Sequence, residues 1–274
     1  MIHPTLPFLA LFIAACQPIA SPGLPGEVSR SDGGGLSSSV TPSPLPPNPE
    51  TNLLPNHSFE SPTPDPWYDF SERSPSWLPY SISDSVAHTG THAAHLHMDS
   101  ADQQPTTTAI HGVVQSLSAP NKALPAYISG HYKVTNWNRS TPKQYLQLVF
   151  MASRPPNKPA GTNYPTYQLA IPLAGVTEPP IEIANRRFAF DPISLPPQEP
   201  IQDQWIFFEY NLPDLYQQHW GFIPENSKDF RVFFEVRYDN RDPDADQPAT
   251  ADVYYDTLYL GPDSRTPTPT PTSP

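Results

Sequence analysis

The stretch "DFRVFFEVRY", Asp229 to Tyr238, decides the fold class, because apolar and polar side chains alternate along it. Successive side chains of a β-strand point to opposite faces of its sheet. The face predicted to be buried comprises Val232, Phe234 and Val236. The opposite face comprises Arg231, Phe233, Glu235 and Arg237. The pattern predicts a strand with one side in a core and the other toward solvent or a ligand.

Other segments are rich in aromatic and β-branched residues and also read as strands: "AYISGHYKVT" (126–135), "QYLQLVFMAS" (144–153), "QWIFFEYNL" (204–212) and "ADVYYDTLYL" (251–260). Shorter candidates are "YSISD" (80–84), "AAHLHM" (93–98) and "HGVVQSL" (111–117). No apolar stripe of helical period is sustained, and the 40 prolines disfavour helices. The chain is therefore predicted to be all-β, with about nine to eleven strands in an antiparallel sandwich or barrel.

The charge balance narrows the choice of partner. Lysine and arginine total 15, aspartate and glutamate total 27, and the net charge is -12. A nucleic acid would need a basic surface, so no nucleic-acid partner is expected. A neutral ligand such as a sugar, or a cation, fits better, although an acidic surface also simply keeps an exported protein soluble.

The N-terminal segment is typical of export. "LPFLALFIAAC" is an apolar run too short to span a bilayer, and it ends at the single cysteine, Cys16. "IAAC" resembles the bacterial lipobox, which implies lipidation of Cys16 and anchoring at the cell surface, although "MIHPT" before it lacks lysine and arginine. The alternative is a buried apolar strand with a chance cysteine.

Composition divides the chain into segments. Residues 1–15 are predicted to be a lipoprotein signal peptide, and 16–51 a disordered tether of proline, serine and glycine. Residues 52–262 are predicted to form the β-sandwich. The tail 263–274 ends in a Thr-Pro repeat that favours an extended conformation.

The stretch "SVAHTGTHAAHLHMD", Ser85 to Asp99, raises the question of a metal site. On a strand, His95 and His97 share one face, whereas Ala94, Leu96 and Met98 share the other. Two histidines supply only two ligands, and zinc needs three or four that converge. They are therefore predicted to be solvent-facing or cleft-lining, with a transition-metal site as the alternative.

The same stretch belongs to a wider resemblance. "NLLPNHSFE" (52–60), "SVAHTGTHAAHL" (85–96), "DQWIFFEYNLP" (203–213) and "DVYYDTLYLGP" (252–262) occur in that order. Together they resemble bacterial carbohydrate-binding modules of the galactose-binding-like jelly-roll superfamily. The resemblance implies a jelly-roll β-sandwich, a poly- or oligosaccharide ligand on the concave sheet face, and a core tryptophan at Trp205.

The resemblance also implies a structural calcium ion. The matching carboxylates are Glu60 and Asp256, with backbone carbonyls from the turn Thr89 to His92. Calcium takes six to eight hard oxygen ligands, which such groups provide. The alternative is that Glu60 and Asp256 are ordinary surface or turn carboxylates. A second acidic run, "DNRDPDADQ", lacks the glycine and the final glutamate of an EF-hand and is predicted to be a solvated loop.

A sugar site would need aromatic and planar polar side chains on a strand face. The side chains predicted to point away from the core, or to lie in polar turns, are His131, Trp137, Tyr145, Gln147, Glu235 and Arg237. These are the candidate ligand-binding residues. The alternative is that they form an ordinary solvent-facing side of a sheet.

No catalytic motif is present: the chain lacks G-x-S-x-G, the P-loop and G-x-G-x-x-G. Glu209 and Glu235 lie on predicted strands, but nothing pairs them as a glycosidase requires. We therefore expect a monomeric, non-catalytic binding module. A structural or adhesive spacer of the same fold, without a sugar ligand, is the alternative.

Overall fold

The computed structural model describes residues 43–101, 103–140, 143–153, 155, 157–158, 166–175, 182–183, 186–190 and 199–267. The strands are β1 (Trp77–Leu78), β2 (Ser81–Ser83), β3 (Ala93–Asp99), β4 (Ala109–Lys122), β5 (Tyr127–Asn138), β6 (Gln144–Ser153), β7 (Thr166–Ala174), β8 (Glu182–Ile183), β9 (Arg186–Phe188), β10 (Trp205–Asn211), β11 (Ser227–Tyr238) and β12 (Thr250–Gly261). The described residues also contain one helix, α1, which spans Leu212–Trp220.

The strands form two sheets with the order of a jelly roll. One sheet runs β1-β4-β11-β6-β7-β9-β8, and the other runs β10-β5-β12-β3-β2. Setting aside the short strands β1, β2, β8 and β9, the remaining eight switch sheets at every step along the chain except from β6 to β7, which are antiparallel neighbours in the seven-stranded sheet. Counted in chain order, they pair as 1-8-3-6 in the five-stranded sheet and 2-7-4-5 in the seven-stranded sheet. This is the order of two nested Greek keys, so the predicted all-β jelly-roll sandwich is confirmed.

The core lies between the sheets and follows the predicted alternation. Val232, Phe234 and Val236 are fully buried in it, and so are Leu148 and Phe150 of the neighbouring strand β6. Burial of these aliphatic and aromatic faces against each other is the main stabilising term of such a sandwich. The five-stranded sheet contributes Leu96, Met98, Ile128, Val134 and Val253 to the same core.

The sequence analysis missed helix α1. Asn211 caps its N-terminus, where the side chain accepts a hydrogen bond from the backbone N–H of Asp214 at 3.1 Å. Pro213 lies in the first turn, and Gly221 ends the helix with φ of 74°. These are standard start and stop signals, but the helix spans only Leu212–Trp220. An apolar stripe of helical period is difficult to detect over so few residues.

The folded part extends beyond the predicted bounds at both ends. The backbone N–H of Leu45 donates to the carbonyl of Arg265 at 2.8 Å, and Arg265 Nε donates back to the carbonyl of Leu45 at 2.8 Å. The predicted signal peptide, Cys16 and most of the tether lie outside the described residues, as does the end of the Thr-Pro tail. No helix within the described ranges is long and apolar enough to cross a membrane.

Candidate functional site: the outer sheet faces

The outer face of the seven-stranded sheet is covered by its own chain. Tyr68 forms an antiparallel bridge with Val114 of β4, and β1 pairs in parallel with the same strand. The rings of Phe70 and Trp77 lie 6.1 and 6.2 Å from that of Phe233. These contacts form a second apolar cluster outside the main core. A ligand has no open access to this part of the face.

Four of the predicted sugar-binding residues lie beneath this cover. Gln147 Nε2 donates to Glu235 Oε2 at 2.6 Å, and Arg237 pairs with Asp239 at 2.9 Å and with Glu235 at 3.6 Å. The Tyr145 hydroxyl donates to Asp239 Oδ2 at 2.5 Å. Burial raises the pKa of Glu235 despite the opposing effects of Arg237 and Gln147. We call these five residues the buried polar cluster; its members mainly bind one another.

The other two predicted residues are elsewhere. His131 lies on β5 of the five-stranded sheet, where its ring stacks on His88 at 3.7 Å and is 4 % exposed. Trp137 belongs to the main core, and its Nε1–H donates to Glu199 at 2.6 Å. A bulge at Asn136, with φ of 51°, turns Trp137 inward against the strand alternation. The candidate residues therefore do not line one common surface.

The outer face of the five-stranded sheet remains open over part of its area. One cross-strand row runs through every strand of this sheet in register: Ser81, His95, Tyr254, Lys133 and Trp205. Every member is half-buried or exposed. With strands about 4.8 Å apart, the distance from His95 to Trp205 is about 14 Å. We call this set the open-face row.

The position of Trp205 corrects the sequence analysis, which placed it in the core. Trp205 pairs with Lys133, whose side chain points away from the core, whereas the neighbouring Ile206 pairs with the buried Tyr132. Pairing partners share a sheet face, so Trp205 lies outside. The alternation in "DVYYDTLYL" also places Tyr254 and Asp252 opposite the buried Val253 and Tyr255, a signal that the sequence analysis did not use.

The turn from His88 to His92 covers one end of this face. Glu60 and Asp256, the two carboxylates predicted to bind calcium, hold this turn in place. Glu60 Oε1 accepts the backbone N–H groups of Thr91 and His92, each at 2.8 Å. Asp256 Oδ2 accepts those of His88 and Thr89 at 2.7 and 3.0 Å. We call this arrangement the turn clasp.

The hydrogen bonds of the turn clasp indicate whether its carboxylates could bind a calcium ion. Calcium needs several free oxygens, but here each oxygen of the two carboxylates already accepts from an N–H or O–H donor or lies against an imidazole nitrogen. In this arrangement the oxygens are turned toward donors, and the residues do not form a calcium shell. Calcium binding by Glu60, Thr89, His92 and Asp256 stays a prediction.

The electrostatics of the two clasp carboxylates differ. Burial raises the pKa of Asp256 to about 6, which outweighs the hydrogen bonds from Thr89 and His88. For Glu60, burial also acts to raise the pKa, but hydrogen bonds from His92 and Thr91 prevail and lower it to about 2. Glu60 is exposed, whereas Asp256 is fully buried. Loss of the Asp256 carboxylate should therefore affect the turn more than loss of the Glu60 carboxylate.

Comparison with known proteins finds similar solved structures but no family model and no curated relative. Similar solved structures include a family 61 carbohydrate-binding module in complex with β-1,4-galactotriose, with 11% identity over 77% of this chain and 99% of that one, at a TM-score of 0.38. Another is the xylan-binding domain CBM22-1 of Paenibacillus barcinonensis, with 13% identity over 81% and 100% of the two chains, at a TM-score of 0.38.

A third similar structure is the enzymatically active domain of the bacteriophage CBA120 tailspike protein 4. It has 10% identity over 78% of this chain and 22% of that one, at a TM-score of 0.39. TM-scores this low do not by themselves show a shared function. The jelly-roll assignment therefore rests on the strand order of this chain.

Proposed function

We propose that this domain is a non-catalytic module that binds a poly- or oligosaccharide across the open-face row. The observation that carries the proposal is the contrast between the two outer faces. The chain covers the seven-stranded sheet, whereas Tyr254 and Trp205 remain partly exposed on the five-stranded sheet, on either side of Lys133.

The chemistry of the row suits a sugar. Aromatic side chains offer apolar surface to the C–H groups of a pyranose ring, and nearby polar groups orient its hydroxyls. Lys133 and Ser81 are donors within the row, and Thr135 and Asn136 lie beside it on β5. An extended site on a sheet face suits a chain polymer better than an enclosed cavity would.

Calorimetric titration of the full chain against a panel of soluble xylans, glucans and galactans tests the proposal. We expect one of them to bind, and W205A and Y254A each to weaken binding by about 1–2 kcal/mol, roughly 5- to 30-fold. The matched control is W77F, which alters a tryptophan on the covered face and is expected to leave the affinity unchanged. Unfolding curves establish that each variant is folded.

Two results would contradict the proposal. One is the absence of binding across the panel. The other is binding that survives W205A and Y254A but is lost on replacing residues of the buried polar cluster, which would locate the ligand beneath the cover.

A structural or adhesive spacer is the second candidate function. It is favoured by the covered face itself, because Trp77 and Phe188 occupy surface that a sheet-binding ligand would otherwise use. A spacer predicts no binding to any glycan of the panel. The same titrations therefore separate the two candidates.

We further propose that the domain is exported and anchored at the bacterial cell surface through a lipid on Cys16. The apolar run before this cysteine and the proline-rich segment after it support the proposal. Expression of the full chain in bacteria should place it in the membrane fraction. C16S should release it, and retention of C16S in membranes would contradict lipidation.

A further inference from the structure

Two histidines and a carboxylate converge next to the open-face row. His95 Nε2 and His97 Nδ1 each lie 2.8 Å from the same oxygen, Oδ1 of Asp252. The three potential ligand atoms all lie within 4.8 Å of one another. The register of β3 with β12 creates this group, because Asp252 is the direct partner of His97 and Tyr254 is that of His95.

We propose that His95, His97 and Asp252 form a binding site for a late first-row divalent metal ion such as Zn²⁺. Two imidazoles and one carboxylate are a ligand set that zinc accepts, with a fourth position left for water or an exogenous ligand. Imidazole ligands disfavour calcium and magnesium, which prefer oxygen. This inference concerns other residues than the turn clasp and does not depend on saccharide binding.

The ligand spacing needs only a small adjustment. Bonds of about 2.0–2.1 Å in a tetrahedral zinc shell separate neighbouring ligand atoms by about 3.3 Å. The imidazole nitrogens lie 2.8 Å from the carboxylate oxygen, and no two of the three atoms are more than 4.8 Å apart. Each nitrogen therefore has to move away from the oxygen by about 0.5 Å, and the two nitrogens have to approach each other by at most about 1.5 Å, which rotation of partly exposed side chains allows.

The surroundings already fix two of the three ligands. The ring of His95 stacks on Tyr254 at 4.6 Å, with an angle of 9° between the planes. Its other nitrogen, Nδ1, lies 3.3 Å from Ser81 Oγ, and Asn136 Nδ2 donates to Asp252 Oδ2 at 3.2 Å. Such outer hydrogen bonds orient metal ligands and favour the ligating tautomer.

The site is accessible, and its carboxylate is ready to bind. The side chain of His97 is 59% exposed, so an ion can enter from solvent. The carboxylate of an ordinary aspartate is ionised near neutral pH, as a metal ligand must be.

The test uses the untagged full chain, stripped with a chelator and then titrated calorimetrically with ZnCl₂ and, separately, with MgCl₂. We expect one zinc ion per chain to be bound at this group and no comparable binding of magnesium. H97N and D252N should each weaken zinc binding at least tenfold, and S81A about tenfold through the lost outer hydrogen bond. D99N, a carboxylate on the same strand and face, is the matched control and should bind zinc normally.

Thermal unfolding provides the second readout. Because zinc binds the folded chain, it should raise the melting temperature of the wild type and of D99N but not that of H97N. His97 is mostly exposed, so H97N should fold normally without zinc. Absence of zinc binding, or H97N and D252N matching the wild type, would overturn the proposal and leave the group as a hydrogen-bonded network. A failed saccharide titration does not affect either measurement.

Discussion

Glu60 and Asp256 hold the two ends of one turn. Glu60 binds the backbone of Thr91 and His92, and Asp256 binds the backbone of His88 and Thr89. Gly90 lies between these ends with φ of 69°, and a Cβ atom at this position would clash with Glu60 Oε1. Two carboxylates separated by nearly the whole domain sequence therefore fasten the turn to the start and the end of the sandwich.

Asp256 should be the more important anchor for stability. D256A removes a fully buried acceptor from the backbone N–H groups of His88, Thr89 and Thr257, and we expect it to lower the free energy of unfolding by about 2–3 kcal/mol. E60A should cost less, about 1 kcal/mol, since water can solvate the N–H groups it releases. Urea unfolding of both variants measures the difference, and equal losses would contradict this ranking.

The turn clasp also defines a test for calcium. If the ion binds there, calcium should raise the melting temperature and D256N should abolish the increase. The direct hydrogen bonds lead us to expect that the chain unfolds cooperatively in EDTA and that its melting temperature there is close to that of the untreated protein. A large fall in EDTA, reversed by calcium alone, would show that the residues rearrange into a calcium shell.

Gly112 provides a test of the cover on the seven-stranded sheet. A Cβ atom at this position would lie 2.6 Å from Trp77 Cζ3 and 3.2 Å from Glu235 Cγ. G112A should therefore displace the indole ring of Trp77 and lower the free energy of unfolding by about 1–3 kcal/mol. In a W77A background the same substitution should cost much less, and a double-mutant cycle by urea unfolding measures this coupling. Additive effects would indicate that Trp77 does not cover this position.

Arg237 is the cation of the buried polar cluster. R237M removes this cation from Glu235 and Asp239. We expect the substitution to lower the free energy of unfolding by about 3–5 kcal/mol, as for a broken buried ion pair. E235Q in the same chain should recover part of the loss, because it removes the uncompensated charge. If R237M alone proves neutral in urea unfolding, the cluster is more hydrated than its burial indicates.

Acid should destabilise the domain through its buried histidines. Burial, with smaller effects of His97 and His95, lowers the pKa of His111 from 6.5 to about 4. Burial, with smaller effects of His88 and Arg265, lowers the pKa of His131 from 6.5 to about 3. As the pH falls below 6.5, the unfolded chain takes up protons at these positions that the folded chain does not, so stability decreases.

Asp256 acts in the opposite direction. Its folded pKa of about 6 lies above the ordinary 3.8, so below pH 6 the folded chain binds a proton that the unfolded chain does not. Burial also lowers the pKa values of His57, His88 and His219, which act with His111 and His131, and raises that of Glu235, which acts with Asp256. Because more histidines than carboxyl groups are shifted in this way, we expect a net loss of stability between about pH 6 and 4. Urea unfolding at pH 7 and pH 5 with EDTA present measures it, and H131F should reduce the slope. Stability that rises toward pH 5 would contradict this assignment.

Local sequence patterns were sufficient to assign the strands and the side chains that each strand buries. Side-chain direction in a strand alternates with a period of two, so Val232, Phe234 and Val236 could be assigned to the core from local order alone. The sandwich architecture follows from many such strands separated by turns. Local order fails where the backbone departs from it, as at the bulge that turns Trp137 inward.

Contacts between segments far apart in the chain establish which outer surface is free and which polar groups meet. Trp77 covers the seven-stranded sheet through contacts with residues far along the chain, and Trp205 faces outward because of its register with Lys133. Asp252 reaches His95 across a sequence separation of 157 residues. Strand pairing of this kind depends on the packing of the whole sandwich, and a pattern within one segment carries no information about its distant partner.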